Sequence, residues 1–153
     1  MPTAGRVASR ARGDWPARAE RAIQSRRFGP YTLQAAIAAV HADAQDSGGT
    51  DWAQIIGLYD LLVRADPSPV VELNRAVAVA MGRGPVEGLR LIDQILSRGD
   101  LADYHLAHSA RADLCRRLGR IAEARASYER ALSLSRQDPE RQFLLKRLRE
   151  LGP

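Results

Sequence analysis

His105, His108 and Cys115 are the residues whose types could hold a metal ion. The histidines stand at i and i+3, on one helix face, and Cys115 lies one residue off that line two turns further on. Zinc takes four ligands, in patterns such as Cys-x-x-Cys with a matching second pair. The chain has one cysteine and three histidines, and no second cluster. Packed or surface histidines are therefore the expectation. Cys115 as a nucleophile would need an exposed, electropositive setting. It neighbours Arg116 and Arg117 but sits mid-helix on the apolar side, which fits a small buried hydrophobe.

Other combinations carry less chemistry. Gly82-Arg83-Gly84 follows a helical pattern rather than a strand, and no Lys-Ser/Thr comes after it, so it does not read as a phosphate loop. Trp52 and Tyr59 could stack on bases only beside a basic groove, and core packing is the expected role. Asp51, Asp66 and Asp138 are accounted for by helix starts and turns. Arg141, Lys146, Arg147 and Arg149 form a charged helix face, read as solvated. No serine–histidine–aspartate order or carboxylate pair stands out. The reading is non-enzymatic, with no catalytic, cofactor or metal residues.

The elements that must position these side chains are helices. Trp52, Ile55, Ile56, Tyr59, Leu62 and Val63 form an apolar stripe at helical spacing, predicting a helix over 51–65. Asp66-Pro67-Ser68-Pro69 stops it. Ser68 is expected to cap a helix running to Met81, with Val71, Leu73, Ala76, Val77 and Ala80 inward. Pro85 opens another, carrying Val86, Leu89, Ile92, Ile95 and Leu96. After Gly99-Asp100 a longer helix is predicted over Leu101–Leu118, closed by Gly119. Arg120–Ser135 follows, with Ile121, Ala124, Tyr128, Ala131, Leu132 and Leu134 inward. Asp138-Pro139 is expected to cap a last helix bearing Phe143, Leu144, Leu148 and Leu151. Upstream, 31–45 is an alanine-rich helix with Leu33, Ile37 and Val40. No segment alternates with the period of a strand.

The formal net charge of +5 suggests a nucleic-acid partner until it is located. Residues 1–27 hold seven arginines against Asp14 and Glu20, and residues 28–153 hold 16 basic and 16 acidic side chains. The excess lies in the first 27 residues, and the rest has no electrostatic footprint for a phosphate backbone. Residues 1–28 are therefore read as a basic, disordered tail with a short helix at 14–27, and residues 29–151 as one helical domain. No apolar run approaches the ~20 residues of a membrane span. A single cysteine fits a reducing cytoplasm.

The helices pair, and the pairing repeats about every 34 residues, the tetratricopeptide (TPR) period. It is clearest from Gly119 onward, in GRIAEARASYERALSL. Gly119 marks the turn, and Ala124, Tyr128, Ala131 and Leu132 follow in the small–aromatic–small order of a TPR second helix. Small residues allow close helix approach, and the aromatic fills the gap between pairs. The expected architecture is all-α: a TPR-like solenoid of about three helix pairs plus a C-terminal capping helix. First helices of stacked pairs line a concave groove. By that register Gln34 and His41, then Asn74, Ala78 and Met81, then Ser109, Asp113 and Arg116 are candidates for a protein-binding surface. Asn74, a polar amide in an apolar run, is the most informative of them.

Three long collinear blocks carry a family resemblance: GPYTLQAAIAAVHADA (29–44), TDWAQIIGLYDLLVRADPSPVVELNRAVAVAMGRGP (50–85), and YHLAHSARADLCRRLGRIAEARASYERAL (104–132) with ERQFLLKRLREL (140–151). They resemble the TPR-like C-terminal extension of one subgroup of bacterial extracytoplasmic-function RNA polymerase sigma factors. The resemblance implies a part in transcription initiation. It implies RNA polymerase or a sigma-region polypeptide as partner, with DGPF (YCII-related) proteins as further partners. The two DNA-reading sigma regions do not fit into the 28 residues before Gly29, so no DNA-binding residue carries over. The expectation is a stand-alone or truncated form of the extension. The alternative is an independent TPR-like scaffold for a peptide or small ligand unrelated to transcription.

Overall fold

The structure, a computed structural model, describes residues 51–153. The tail with its 14–27 helix, the 31–45 helix, Gln34 and His41 lie outside the described residues. Six helices and no strands are found among the described residues: α1 (Trp52–Ala65), α2 (Pro69–Arg83), α3 (Pro85–Ser97), α4 (His105–Arg117), α5 (Ile121–Leu134) and α6 (Asp138–Glu150). The fold is all-α and TPR-like. The described residues fall into two units, the first ending at Arg75 and the second running from Ala76 to Pro153.

In the first unit, α1 starts where its cap chemistry places it. The Gln54 N–H donates to the Asp51 carboxylate at 3.0 Å, satisfying one of the helix's free donors. The helix ends at Asp66, whose N–H donates to the Leu62 carbonyl before Pro67 removes the next donor. Its core side is Ile55, Ile56, Leu58 and Leu62. Tyr59 and Trp52, expected as core, are only half-buried, and Leu58 is enclosed instead. Arg75 Nε on α2 donates to Asp60 Oδ1 on α1 at 2.5 Å.

In the second unit, α3 begins at Pro85, after Gly84 in a left-handed conformation (φ 109°). Gly88 lies hard against α2. A β-carbon there would meet the Ala80 Cβ at 2.3 Å and the Ala76 carbonyl oxygen at 2.9 Å. Small side chains set that helix separation, as expected for stacked pairs. Leu89, Ile92 and Ile95 are buried, whereas Val86 is exposed. Val86 lies in the first turn of α3.

The helix predicted from Leu101 begins four residues later, at His105. Gly99 (φ 85°) and Leu101 (φ 60°) both take left-handed backbone, so a right-handed helix cannot run through them. The loop closes with the Tyr104 N–H donating to the Leu101 carbonyl at 3.0 Å. α4 and α5 then form a helical hairpin. Gly119 (φ 74°) terminates α4 in a Schellman arrangement: the Arg120 N–H reaches the Cys115 carbonyl at 2.9 Å and the Gly119 N–H the Arg116 carbonyl at 3.0 Å.

α4 packs on α3 and on α5, and α5 packs on α6. Ala124, Tyr128 and Ala131 are buried on α5, as the repeat pattern requires, and Ile121 at its start is exposed. Asp138 is not the cap of α6 but its first residue; Gln137 takes the cap position without a side-chain bond. Instead Arg141 Nη1 bonds the last carbonyls of α5, Leu132 at 2.9 Å and Ser135 at 3.0 Å. Leu144 is the buried residue of α6, and Phe143 beside it is exposed.

Candidate functional site

Leu106, Ser109, Asp113 and Arg116 recur at three- and four-residue intervals along α4 and form one incompletely buried stripe. Asp113 is its electrostatic centre. Arg116 Nη2 donates to Asp113 Oδ1 at 2.6 Å, and Arg117 Nε lies 3.1 Å from Asp113 Oδ2. Arg117 Nη1 also donates to Met81 Sδ on α2 at 3.2 Å, a weak acceptor. Two guanidiniums thus share one carboxylate, which leaves the stripe locally positive. The Asp113 hydrogen bond holds the Arg116 guanidinium still more firmly protonated than usual.

Near the starts of α4 and α6 a cleft of about 320 Å³ opens, lined by His105, Leu106 and Ser109 from one helix and Pro139, Glu140 and Phe143 from the other, with Leu144 at its base. Leu106 is 46% exposed and Phe143 51% exposed, although both are large and apolar. The polar groups sit on the edge. His105 Nε2 lies 3.0 Å from Glu140 Oε2. The Arg147 guanidinium stands 5.1 Å from the centre of the Phe143 ring, in cation–π range, and also pairs with Glu150 at 3.0 Å. An apolar cleft with a few polar edge groups is the general form of a ligand pocket.

The structure brings Ser109 into this cleft and aligns Asp113 and Arg116 with it. Met81 reaches the same stripe through Arg117. Ala78 does not qualify as a groove residue: it is 3% exposed. Val77, expected inward, is 39% exposed in its place. The two are adjacent on α2 and lie about 100° apart, and the packed face of α2 takes in Ala76, Ala78, Val79 and Ala80 and leaves Val77 outside it. Asn74 is exposed on α2, in the first unit.

The two histidines part company despite their shared spacing. His108 Nε2 lies 2.7 Å from the Ala102 carbonyl, which can only accept, so it carries the proton there. His105 turns instead toward α6. No group of three or more potential metal ligands occurs among the described residues. Cys115 is buried, and its burial pushes the thiol pKa up, against a smaller lowering from Arg111.

Arg111 has no counterpart among the residues picked from the sequence. Its Nε donates to Asp93 on α3 at 2.7 Å, its Nη1 to Ser127 at 2.8 Å and its Nη2 to Glu123 at 3.1 Å, both on α5. One side chain ties three helices together. A larger cleft of about 540 Å³ lies along α3 and reaches Arg120, but its Asp93 is already engaged by Arg111.

With this geometry in view, three comparisons bear on the class of protein. The tetratricopeptide repeat model matches residues 105–138, which is α4, α5 and their connections. Among solved structures, the first TPR domain of Spaghetti (RPAP3) bound to the HSP90 peptide SRMEEVD superposes with a TM-score of 0.62 at 22% identity, covering 80% of this chain and 90% of that one. The first TPR domain of human RPAP3 gives 0.61 at 24% identity, over 81% of this chain and 92% of that one. The Arabidopsis OM64 TPR domain gives 0.56 at 19% identity, over 80% and 98%. The curated protein R00370 of Rhizobium meliloti (strain 1021), described as uncharacterized, is 42% identical over 133 residues. That match spans 87% of this chain but 31% of the relative's length. The likeness establishes a TPR-like fold, and no helix among the described residues is long and apolar enough to cross a membrane.

Proposed function

We propose that the chain is a TPR-like scaffold that binds a peptide segment of a protein partner along α4, with the α4–α6 cleft as its anchor. The observation that carries this reading is the pair Leu106 and Phe143. Both leave about half their surface open over an apolar cleft while the neighbouring core is closed. A solvated helix face would place charged residues there. The solved TPR domain bound to an HSP90 peptide adds support, because a comparable fold binds a peptide there. Ser109, Asp113, Arg116 and Met81 belong to this proposed surface, and Asn74 is a separate candidate on the first unit.

A narrower reading makes that partner a sigma-region polypeptide, RNA polymerase or a DGPF (YCII-related) protein, with the chain serving as a cytoplasmic sigma-factor extension. In the Rhizobium relative more than two thirds of the protein lies outside the matched segment, room for the further regions this reading requires.

Panning the full chain against a random peptide library tests the main reading. Binders should be lost on Leu106→Asp and on Phe143→Asp while the helical circular dichroism is retained. A library that returns no binder, or binders indifferent to both changes, would overturn it. Capture of core polymerase or of sigma-region polypeptides by the full chain, sensitive to the same two changes, tests the narrower one.

A further inference from the structure

We infer that one end of the second unit is a docking surface for an anionic membrane face. Charge and exposed aliphatic side chains coincide there. Residues 28–153 balance only as a whole: 28–75 hold two basic and six acidic residues, and 76–153 hold fourteen basic and ten acidic. The positive excess is not spread evenly over the second unit. It lies where α2, α4 and α6 end and where α3 and α5 begin.

Three contacts bring those ends together. Arg117 Nη1, at the end of α4, reaches Met81 Sδ near the end of α2. Val86 in the first turn of α3 and Arg120 at the start of α5 stand in the wall of one cleft. Arg125 on α5 donates to the Gly152 carbonyl just beyond α6. Along this end, residues 81–90, 113–125 and 146–153 hold nine basic and four acidic residues. At the opposite end, residues 94–105 and 129–141 hold four basic and five acidic. The unit is polarised from end to end.

Part of that polarity has a structural cause. Cations in the last turn of a helix offset its macrodipole, and Arg83, Arg117 and Arg149 stand there. Arg120 does not fit that account, because it is the N-cap of α5, where the dipole repels a cation. Arg83, Arg120 and Arg149 are exposed, and no side-chain hydrogen bond or ion pair engages them among the described residues. Nor does the dipole account for aliphatic residues. Val86 is 61% exposed and Ile121 43%, each within three positions of an unpaired arginine.

Aliphatic tips among unpaired cations suit an anionic bilayer surface. The cations are drawn to the headgroups, and the aliphatic side chains enter the boundary with the acyl chains. A nucleic-acid backbone would use the arginines and leave the aliphatic pair idle, and none of the three segments carries an aromatic side chain to stack on bases. The surface lies at the far end of α4 from the cleft beside Leu106, so it stands independently of the peptide-scaffold reading.

The test is co-sedimentation of the full chain with vesicles of phosphatidylcholine alone or with about 30% phosphatidylglycerol. The anionic vesicles should be bound at least ~10-fold more tightly. Residues 1–27 are the same in every variant, so comparisons between variants read the proposed surface. Val86→Ser with Ile121→Ser alters no charge and should weaken binding to anionic vesicles by at least ~5-fold. Arg83→Gln with Arg120→Gln should weaken it by at least ~10-fold. Arg98→Gln with Arg136→Gln removes the same charge from the opposite end and should change binding by less than ~2-fold. All six side chains are exposed, so helical circular dichroism should be retained. Binding indifferent to the serine pair, or lowered equally by the two arginine pairs, would overturn the inference. A labelled DNA duplex that outcompetes the vesicles, and whose binding is lost with Arg83 and Arg120 but not with the serine pair, would overturn it in favour of nucleic acid.

Discussion

Arg111 Nε donates to Asp93 Oδ1 at 2.7 Å, and the same atoms of Arg75 and Asp60 meet at 2.5 Å one helix pair earlier. In each case an arginine on the first helix of a pair grips an aspartate on the second helix of the pair before. The bond is a repeat element that no TPR-type small–aromatic pattern describes. At Arg111 it is extended to Ser127, a buried hydroxyl, and to Glu123.

Arg111→Ala should therefore destabilise the protein by about 1–3 kcal/mol, the range for removing charge-assisted bonds while leaving Ser127 without its partner. The lower half of that range is the better guide, because Asp93 is 46% exposed at its side chain and water screens it. In a double-mutant cycle with Asp93→Ala, the combined loss should fall short of the sum by at least ~0.5 kcal/mol. Additive losses in urea denaturation would mean the pair contributes nothing as a pair.

Gly88→Ala should cost about 1–3 kcal/mol, the usual penalty of overpacking. The obstacles are the Ala80 β-carbon and the Ala76 carbonyl, neither of which is the flexible end of a side chain. The same substitution in an open helix position would stabilise by raising helix propensity. A neutral or positive effect on thermal stability would show that α2 and α3 can separate freely.

Tyr128→Ala should be the most damaging aromatic truncation, at about 3–5 kcal/mol. Tyr128 is 1% exposed and sits between the small residues Ala124 and Ala131 on the buried side of α5. Tyr59, half-buried on α1, should lose clearly less on the same change, although burial raises its phenol pKa. Equal losses at the two sites, measured by chemical denaturation, would contradict the difference in enclosure.

Helix boundaries were legible because their signals are local. Asp51, Pro69, Pro85 and Gly119 act within a turn of where they stand, and the helices begin or end beside them. The late start of α4 was not legible, since the left-handed backbone falls on Leu101, a residue type that gives no warning of it. Inward faces were read well on α5, where small, aromatic and polar residues alternate at helical spacing. They were read poorly on α2, where VVELNRAVAVAM is apolar almost all round and the period cannot choose between Val77 and Ala78. Of the candidate site, Ser109, Asp113 and Arg116 came from repeat register alone. The cleft itself did not, because Leu106 and Phe143 are 37 positions apart and each taken singly looks like ordinary core. Arg111 was missed for the same reason: its three partners lie 12 to 18 positions away.

Cys115 offers a pH test with a defined sign. The thiol is buried between charged neighbours, and desolvation disfavours its thiolate in the fold. Its folded pKa therefore lies above the unfolded value of about 8.5. Below that value both states are protonated and the contribution to stability is fully present. As pH rises past it, the unfolded chain gives up the proton first, so stability falls with pH until the folded pKa is passed. Urea midpoints of the reduced protein should drop between pH 8 and 9.5, and Cys115→Ala should flatten that drop while removing little volume. The range stops short of the tyrosines, because Tyr59 would add a loss of the same sign at higher pH. In the native state at pH 8 the thiol should react with a disulfide reagent far more slowly than in urea. Parallel profiles for the two proteins, or fast native labelling, would place Cys115 in an open site and reopen the question of its reactivity.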